Sequence, residues 1–242
     1  MSGEQGEMSF LDHLEELRWR VIKAAAAIAV FAVPCGIYWQ KILDIVMIYP
    51  LRHTSPTPKL IYTNPTESVI LSLKIAVAGG LIAASPVVFF QLWRFISPGL
   101  YRNEKNVILP AAFASTVFFL GGIAFSYYTF PILLKFLTAF GGSRLDPMFK
   151  VDEYFGFLLK ISISFGIVFE LPVVSFVLAR MGLLTAGFLL KNFRYALVII
   201  FILAAILTPP DVISQLMLAG PLLLLYGISI IVAAVASRRK NT

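Results

Sequence analysis

Ser68–Ile96 reads SVILSLKIAVAGGLIAASPVVFFQLWRFI, 29 residues with two charged side chains, Lys74 and Arg94. A helix needs about 20 predominantly apolar residues to cross the hydrocarbon of a bilayer. A helix on a soluble core would interrupt its apolar stripe with polar residues at every turn, and this stretch does not. Outward from it, five more apolar stretches are expected to be spans: 22–42, 107–135, 153–179, 193–208 and 212–236. The fifth is short; its roughly 16 residues reach only about 24 Å. Leu207-Thr208-Pro209-Pro210-Asp211 divides it from the sixth, because two prolines end a helix. Composition agrees. Of 242 residues, 59% are hydrophobic and 14% charged, with mean hydropathy +0.86, where soluble domains are about 25% charged. The fold class is an all-α polytopic integral membrane protein with six transmembrane helices, 22–236, and no internal repeat.

Six spans put both termini on one side. Lys and Arg number about twelve on that side and about six on the other, so the positive-inside rule makes both termini cytoplasmic. The net charge of +7 then reads as orientation and attraction to anionic lipid, not as nucleic-acid binding. Residues 1–8 are polar and are expected to be a disordered N-terminus; no cleavable signal peptide is visible. Residues 9–21 are amphipathic, with Phe10, Leu14, Leu17 and Val21 at helical spacing, and are expected to lie as a helix on the cytoplasmic surface. Residues 237–242 form a basic tail. The first outer loop, about 43–67, is proline-rich and expected to be stiff.

The chemistry of catalysis is missing. Cys35 is the single cysteine, and His13 and His53 match no metal or triad spacing. No nucleophile elbow, zinc-protease motif, phosphate loop or dinucleotide fingerprint occurs. The chain is read as no enzyme and as needing no cofactor.

The inner acids are informative. Beyond Arg18 the cytoplasmic side has one, Glu104, within Ser97-Pro98-Gly99-Leu100-Tyr101-Arg102-Asn103-Glu104-Lys105; the rest are Asp12, Glu15 and Glu16. A basic face with two negative spots would hold a ligand carrying two guanidinium groups, since carboxylates pair with arginine bidentately. Plainer readings stand beside this. Glu104 suits the start of a helix, Arg102 and Lys105 can neutralise it, and Glu16 with Arg20 is an ordinary same-face pair. Glu170 is an ionisable group inside the fourth span, where such a group is costly and faces a cavity or a partner. It is either an ion or docking site or a glutamate hydrogen-bonded to a neighbouring helix. Lys160, about 15 Å away along the same helix, is expected to snorkel outward. Gln215 calls for an interhelical hydrogen bond, and Asp211 fits an N-cap.

Four motifs in one order carry a resemblance: His13-Leu14-Glu15-Glu16-Leu17-Arg18, Ser97-Pro98-Gly99-Leu100-Tyr101 with Glu104 and Lys105, Phe169-Glu170-Leu171-Pro172, and Leu207-Thr208-Pro209-Pro210-Asp211-Val212 with Gln215. The chain after Met8 resembles TatC, the core receptor subunit of the twin-arginine protein translocase. The resemblance implies a bacterial inner-membrane protein that binds Arg-Arg signal peptides of folded cargo. It implies assembly with TatA- and TatB-type single-span subunits and with other copies of itself, and export driven by the proton-motive force. Glu16 and Glu104 would recognise the arginines, with Arg18, Phe95, Leu100, Tyr101, Arg102 and Lys105 supporting that surface. Glu170 would face a concave side used for peptide or partner contact, and Thr208, Pro209, Asp211 and Gln215 would dock a partner helix. The six helices would form a cupped, glove-like arrangement with short fifth and sixth spans. The rival reading is a proton- or ion-coupled small-molecule transporter using Glu170.

Overall fold

The computed structural model describes residues 10–52, 59–96, 108–139, 147–208 and 212–238. Among these, five helical stretches are long and apolar enough to cross a membrane: His13–Ile37, Glu67–Ile96, Ile108–Ala139, Val151–Met181 and Val212–Ser237. The first lies in α1, Phe10–Ile37. The amphipathic helix expected over 9–21 runs into the first span without a break, because nothing between Phe10 and Pro34 interrupts the backbone hydrogen bonding. The span stops at Ile37, short of the expected 42. A brief helix α2, Trp39–Leu43, a π-turn, Asp44–Ile48, and α3, Tyr49–Arg52, follow it. Next come β1, Lys59–Ile61, and α4, Glu67–Ile96, then α5, Ile108–Ala139.

α1 and α4 pack antiparallel through small side chains. A Cβ on Gly80 would lie 2.7 Å from the Ile28 carbonyl oxygen and 2.8 Å from Ala32, and one on Gly79 would lie 2.8 Å from the Cys35 sulfur. Lipid tails are as apolar as leucine, so helices in a bilayer gain by bringing backbones close, not by hiding oily surface. The lone cysteine thus has a packing role.

Strand β2, Met148–Lys150, runs into α6, Val151–Phe169. α5 crosses α6 by the same device. A Cβ on Gly122 would meet the Phe165 carbonyl oxygen at 2.6 Å, and the Ser126 hydroxyl donates to Ser162 at 2.9 Å. The core lies here, around Ile75, Phe130, Leu158, Phe165 and Leu222. β1 and β2 pair in parallel, Lys59 opposite Met148 and Ile61 opposite Lys150. Lys74 reaches Asp152 at 2.6 Å beside them. That ladder and ion pair tie the segment between α1 and α4 to the start of α6. Of the loop expected over 43–67, the described residues form the end of α2, the π-turn, α3 and β1 and lead into α4; Pro56 and Pro58 lie outside the described residues.

The fourth span is two helices, α6 and α7, Leu171–Met181, interrupted at Glu170. Pro172 has no N–H to return to the carbonyl four residues back. The chain tightens, with the Glu170 N–H donating to the Ile167 carbonyl, and resumes with Val174 donating to Glu170. α7 ends at Gly182, whose φ of 78° is the left-handed cap that glycine favours. α8, Ala186–Lys191, leads to α9, Phe193–Leu207, and then α10, Val212–Arg238, whose last turns lie beside the end of α7, with Ala179, Ala233 and Ala236 buried together. α9, expected to be a short fifth span, has 15 residues and is not among the five stretches long enough to cross a membrane. α10, expected to be a short sixth, is not short: it runs 27 residues, because its internal Pro221 is tolerated within a membrane helix.

Candidate functional site

The start of α1, the ends of α4 and α7, the start of α5 and the end of α10 gather at one end of the bundle. There the His13 ring stacks on Phe95, centroids 4.5 Å apart and planes 18° apart. This contact fixes the first turns of α1 against the last turn of α4. Glu16 follows one turn later. Its Oε1 accepts from Arg20 Nε at 2.9 Å and from a second guanidinium nitrogen, which holds the carboxylate in one orientation. The same-face pair read from the sequence is present. Glu16 remains about a quarter exposed, and Arg18 is exposed beside it. Leu100, Tyr101, Arg102, Glu104 and Lys105, also predicted for this surface, lie outside the described residues. Their segment leaves α4 at Ile96, the residue after Phe95.

A second polar group lies within the bundle. Glu170 occupies the break between α6 and α7. The Ser115 hydroxyl of α5 is within hydrogen-bonding range of its carboxyl, while Oε1 is buried without a partner in the described structure. Ser115, itself fully buried, accepts from the indole N–H of Trp93 at 2.8 Å. A relay thus runs from α4 through α5 to α7's first turn, among the apolar side chains of Phe89, Phe118, Val173 and Val177. Trp93 and Ser115 were missed from sequence. A buried tryptophan needs a partner for its N–H, and the Trp93–Phe95 pairing near the end of a span was the available signal. Two residues apart on a helix, their side chains face nearly opposite ways. One turn of α4 therefore touches both the His13 contact and the Glu170 relay.

The third predicted group surrounds the end of α9. Thr208 is buried and its hydroxyl donates to the Ala204 carbonyl at 2.8 Å; Gln215 Nε2 donates to the Phe201 carbonyl at 2.9 Å. The interhelical bond expected of Gln215 is made. Lys160 does not snorkel away. Its ammonium donates to the Ile206 carbonyl at 2.6 Å, closing the C-terminus of α9, where unpaired carbonyls and the helix dipole favour a cation. Pro209 and Asp211 lie outside the described residues. The outer face here, with Ile202, Ile206, Val212 and Leu216, is apolar and exposed.

Residues 12–221 match the family model for TatC, the Sec-independent protein translocase protein. The chain is 42% identical over 222 residues to the Sec-independent protein translocase protein TatC of Helicobacter pylori strain J99, covering 91% of this chain and 87% of that one. It is 40% identical over 239 residues to the protein of the same name from Aquifex aeolicus, covering 97% and 98%. A crystal structure of the twin arginine translocase receptor TatC superposes with a TM-score of 0.82 at 38% identity, covering 93% of this chain and all of that one.

Proposed function

The chain belongs to the TatC family, and from that membership we propose that it is the receptor subunit of a twin-arginine translocase, binding Arg-Arg signal peptides of folded cargo. It is an integral, multi-pass membrane protein and a component of a protein translocase. The observation that supports the finer reading most is the seating of α1. His13 on Phe95 holds the oriented carboxylate of Glu16 beside the point where the Glu104-bearing segment leaves α4. Two carboxylates brought to one surface would each take a guanidinium in the forked geometry that lysine cannot match. Arg18, Leu100, Tyr101, Arg102 and Lys105 would line that surface.

In this reading six helices span the bacterial inner membrane in a cupped arrangement, α9 being the short fifth, with both termini in the cytoplasm. A helix of 15 residues reaches about 22 Å, against a hydrocarbon core of about 30 Å, and would thin the bilayer beside it. Glu170 would offer its unpartnered oxygen to a deeply inserted peptide or to a partner helix. The apolar face near Thr208, Pro209, Asp211 and Gln215 would dock TatA- or TatB-type subunits. Copies of the receptor would assemble with them, and the proton-motive force would drive passage. Family membership does not favour a small-molecule transporter built on Glu170.

Site-specific cross-linking tests this. A photoreactive residue at Phe95 or Leu100 should capture a labelled Arg-Arg signal peptide, with the yield falling in Glu16→Ala/Glu104→Ala. Glu170→Ala should leave that first contact intact and reduce cross-links from deeper positions. An undiminished yield at Phe95 in the double variant contradicts the assignment of the arginine site.

A further inference from the structure

Two hollows on the flank of the bundle, at the end away from Phe95, share Tyr127 and Tyr128. One is a cleft of about 310 Å³ between α4 and α5, floored by α6. It follows α5 from Leu120 to Tyr128, about 12 Å at the helical rise. Its walls are apolar apart from the tyrosines and Ser162, whose hydroxyl is already bonded to Ser126. The other hollow, about 510 Å³, opens beyond the tyrosines and is lined by Asp44, Ile45, Ile48 and Arg52. Asp44 and Arg52 are exposed, and neither forms an ion pair with another described residue. The wall carrying Asp44 is the π-turn, an uncommon backbone form that recurs at functional sites. It is pinned from two helices: Tyr127 donates to the Ile45 carbonyl at 2.6 Å, and Tyr154 to the Met47 carbonyl at 3.3 Å.

An apolar cleft on the flank, ending in a polar chamber whose cation and anion pair with no other described residue, has the shape of a lipid. We infer that this flank holds one phospholipid of the phosphatidylethanolamine type. One acyl chain lies in the α4–α5 cleft, the phosphate meets Arg52, and the headgroup ammonium meets Asp44. The cleft supplies shape but little selectivity, since an acyl chain leaving the bilayer for an apolar cleft exchanges one hydrocarbon surface for another. Selectivity comes from the chamber. A phosphatidylglycerol headgroup brings no cation to Asp44. A choline headgroup brings a cation with no N–H to donate to a carboxylate. The ethanolamine headgroup satisfies both charges.

The test uses the full chain purified in detergent. It is titrated with dioleoyl-phosphatidylethanolamine, -phosphatidylglycerol and -phosphatidylcholine, and bound lipid is counted by native mass spectrometry. One phosphatidylethanolamine should be retained with about tenfold preference over the other two. Arg52→Gln should weaken its retention about tenfold, and Asp44→Asn should erase the preference over phosphatidylcholine. Ala124→Phe, which fills the cleft from an exposed position, should lower retention of all three lipids. Both charges are exposed, so their variants leave the packing intact. Equal retention of the three lipids by the unmodified protein, retention of none, or phosphatidylethanolamine binding unchanged in both charge variants would overturn the assignment.

Discussion

Lys160 shows what a single side chain settles within a membrane. A cation on a lipid-facing stretch is costly, and so is the last turn of a helix with open carbonyls. The hydrogen bond from Lys160 to the Ile206 carbonyl answers both costs and fixes where the short α9 ends. Lys160→Met should therefore loosen α9, costing about 1–2 kcal/mol. The loss is read as a lower thermal midpoint in detergent and faster hydrogen exchange near Thr208, with Lys160→Arg retaining most of the protection. Unchanged exchange in Lys160→Met would mean that Gln215 alone holds the helix end. The sequence reading had Lys160 snorkel outward and named no partner for it. Helical rise separates Lys160 from Glu170, yet no local rule brings it to a carbonyl 46 residues later. Glu170 was read better. Its cost at membrane depth singled it out, and the neighbouring-helix hydrogen bond weighed for it is present in Ser115.

At the scale of the helices, boundaries followed from hydrophobic length and proline, while contacts depended on positions that composition does not rank. Gly121 and Gly122 are adjacent and look alike in sequence. A side chain on Gly121 would meet nothing within 4 Å, whereas one on Gly122 would press on the backbone of α6 at Phe165. Gly122→Leu should destabilise the α5–α6 crossing by about 1–3 kcal/mol, the usual cost of overpacking, and Gly121→Leu by much less. Thermal unfolding of the two variants in the same detergent is the comparison; equal losses would contradict the close crossing. The break at Glu170 was foreshadowed by Pro172. The amphipathic pattern ends at Val21, while helical hydrogen bonding continues unbroken through the alanines that follow.

Across the whole molecule, the two ends of the bundle are held by different means. One end is closed by backbone pairing of β1 with β2 and by the Lys74–Asp152 ion pair. The other carries the His13–Phe95 stack, the oriented Glu16 and the departure of the 97–107 segment from α4. The acids picked out by charge pattern alone belong to this second end in the proposed receptor. His13→Ala should lower signal-peptide affinity severalfold without removing either carboxylate, because an edge-free stacked contact is worth about 0.5–1.5 kcal/mol in positioning α1. The most direct measurement of the receptor account is binding of a labelled signal peptide to the purified protein, comparing an Arg-Arg sequence with its Lys-Lys version. The account predicts at least about tenfold preference for Arg-Arg, or 1.4 kcal/mol, abolished in Glu16→Ala/Glu104→Ala. Equal affinity for both peptides, or a preference that survives in the double variant, would contradict it.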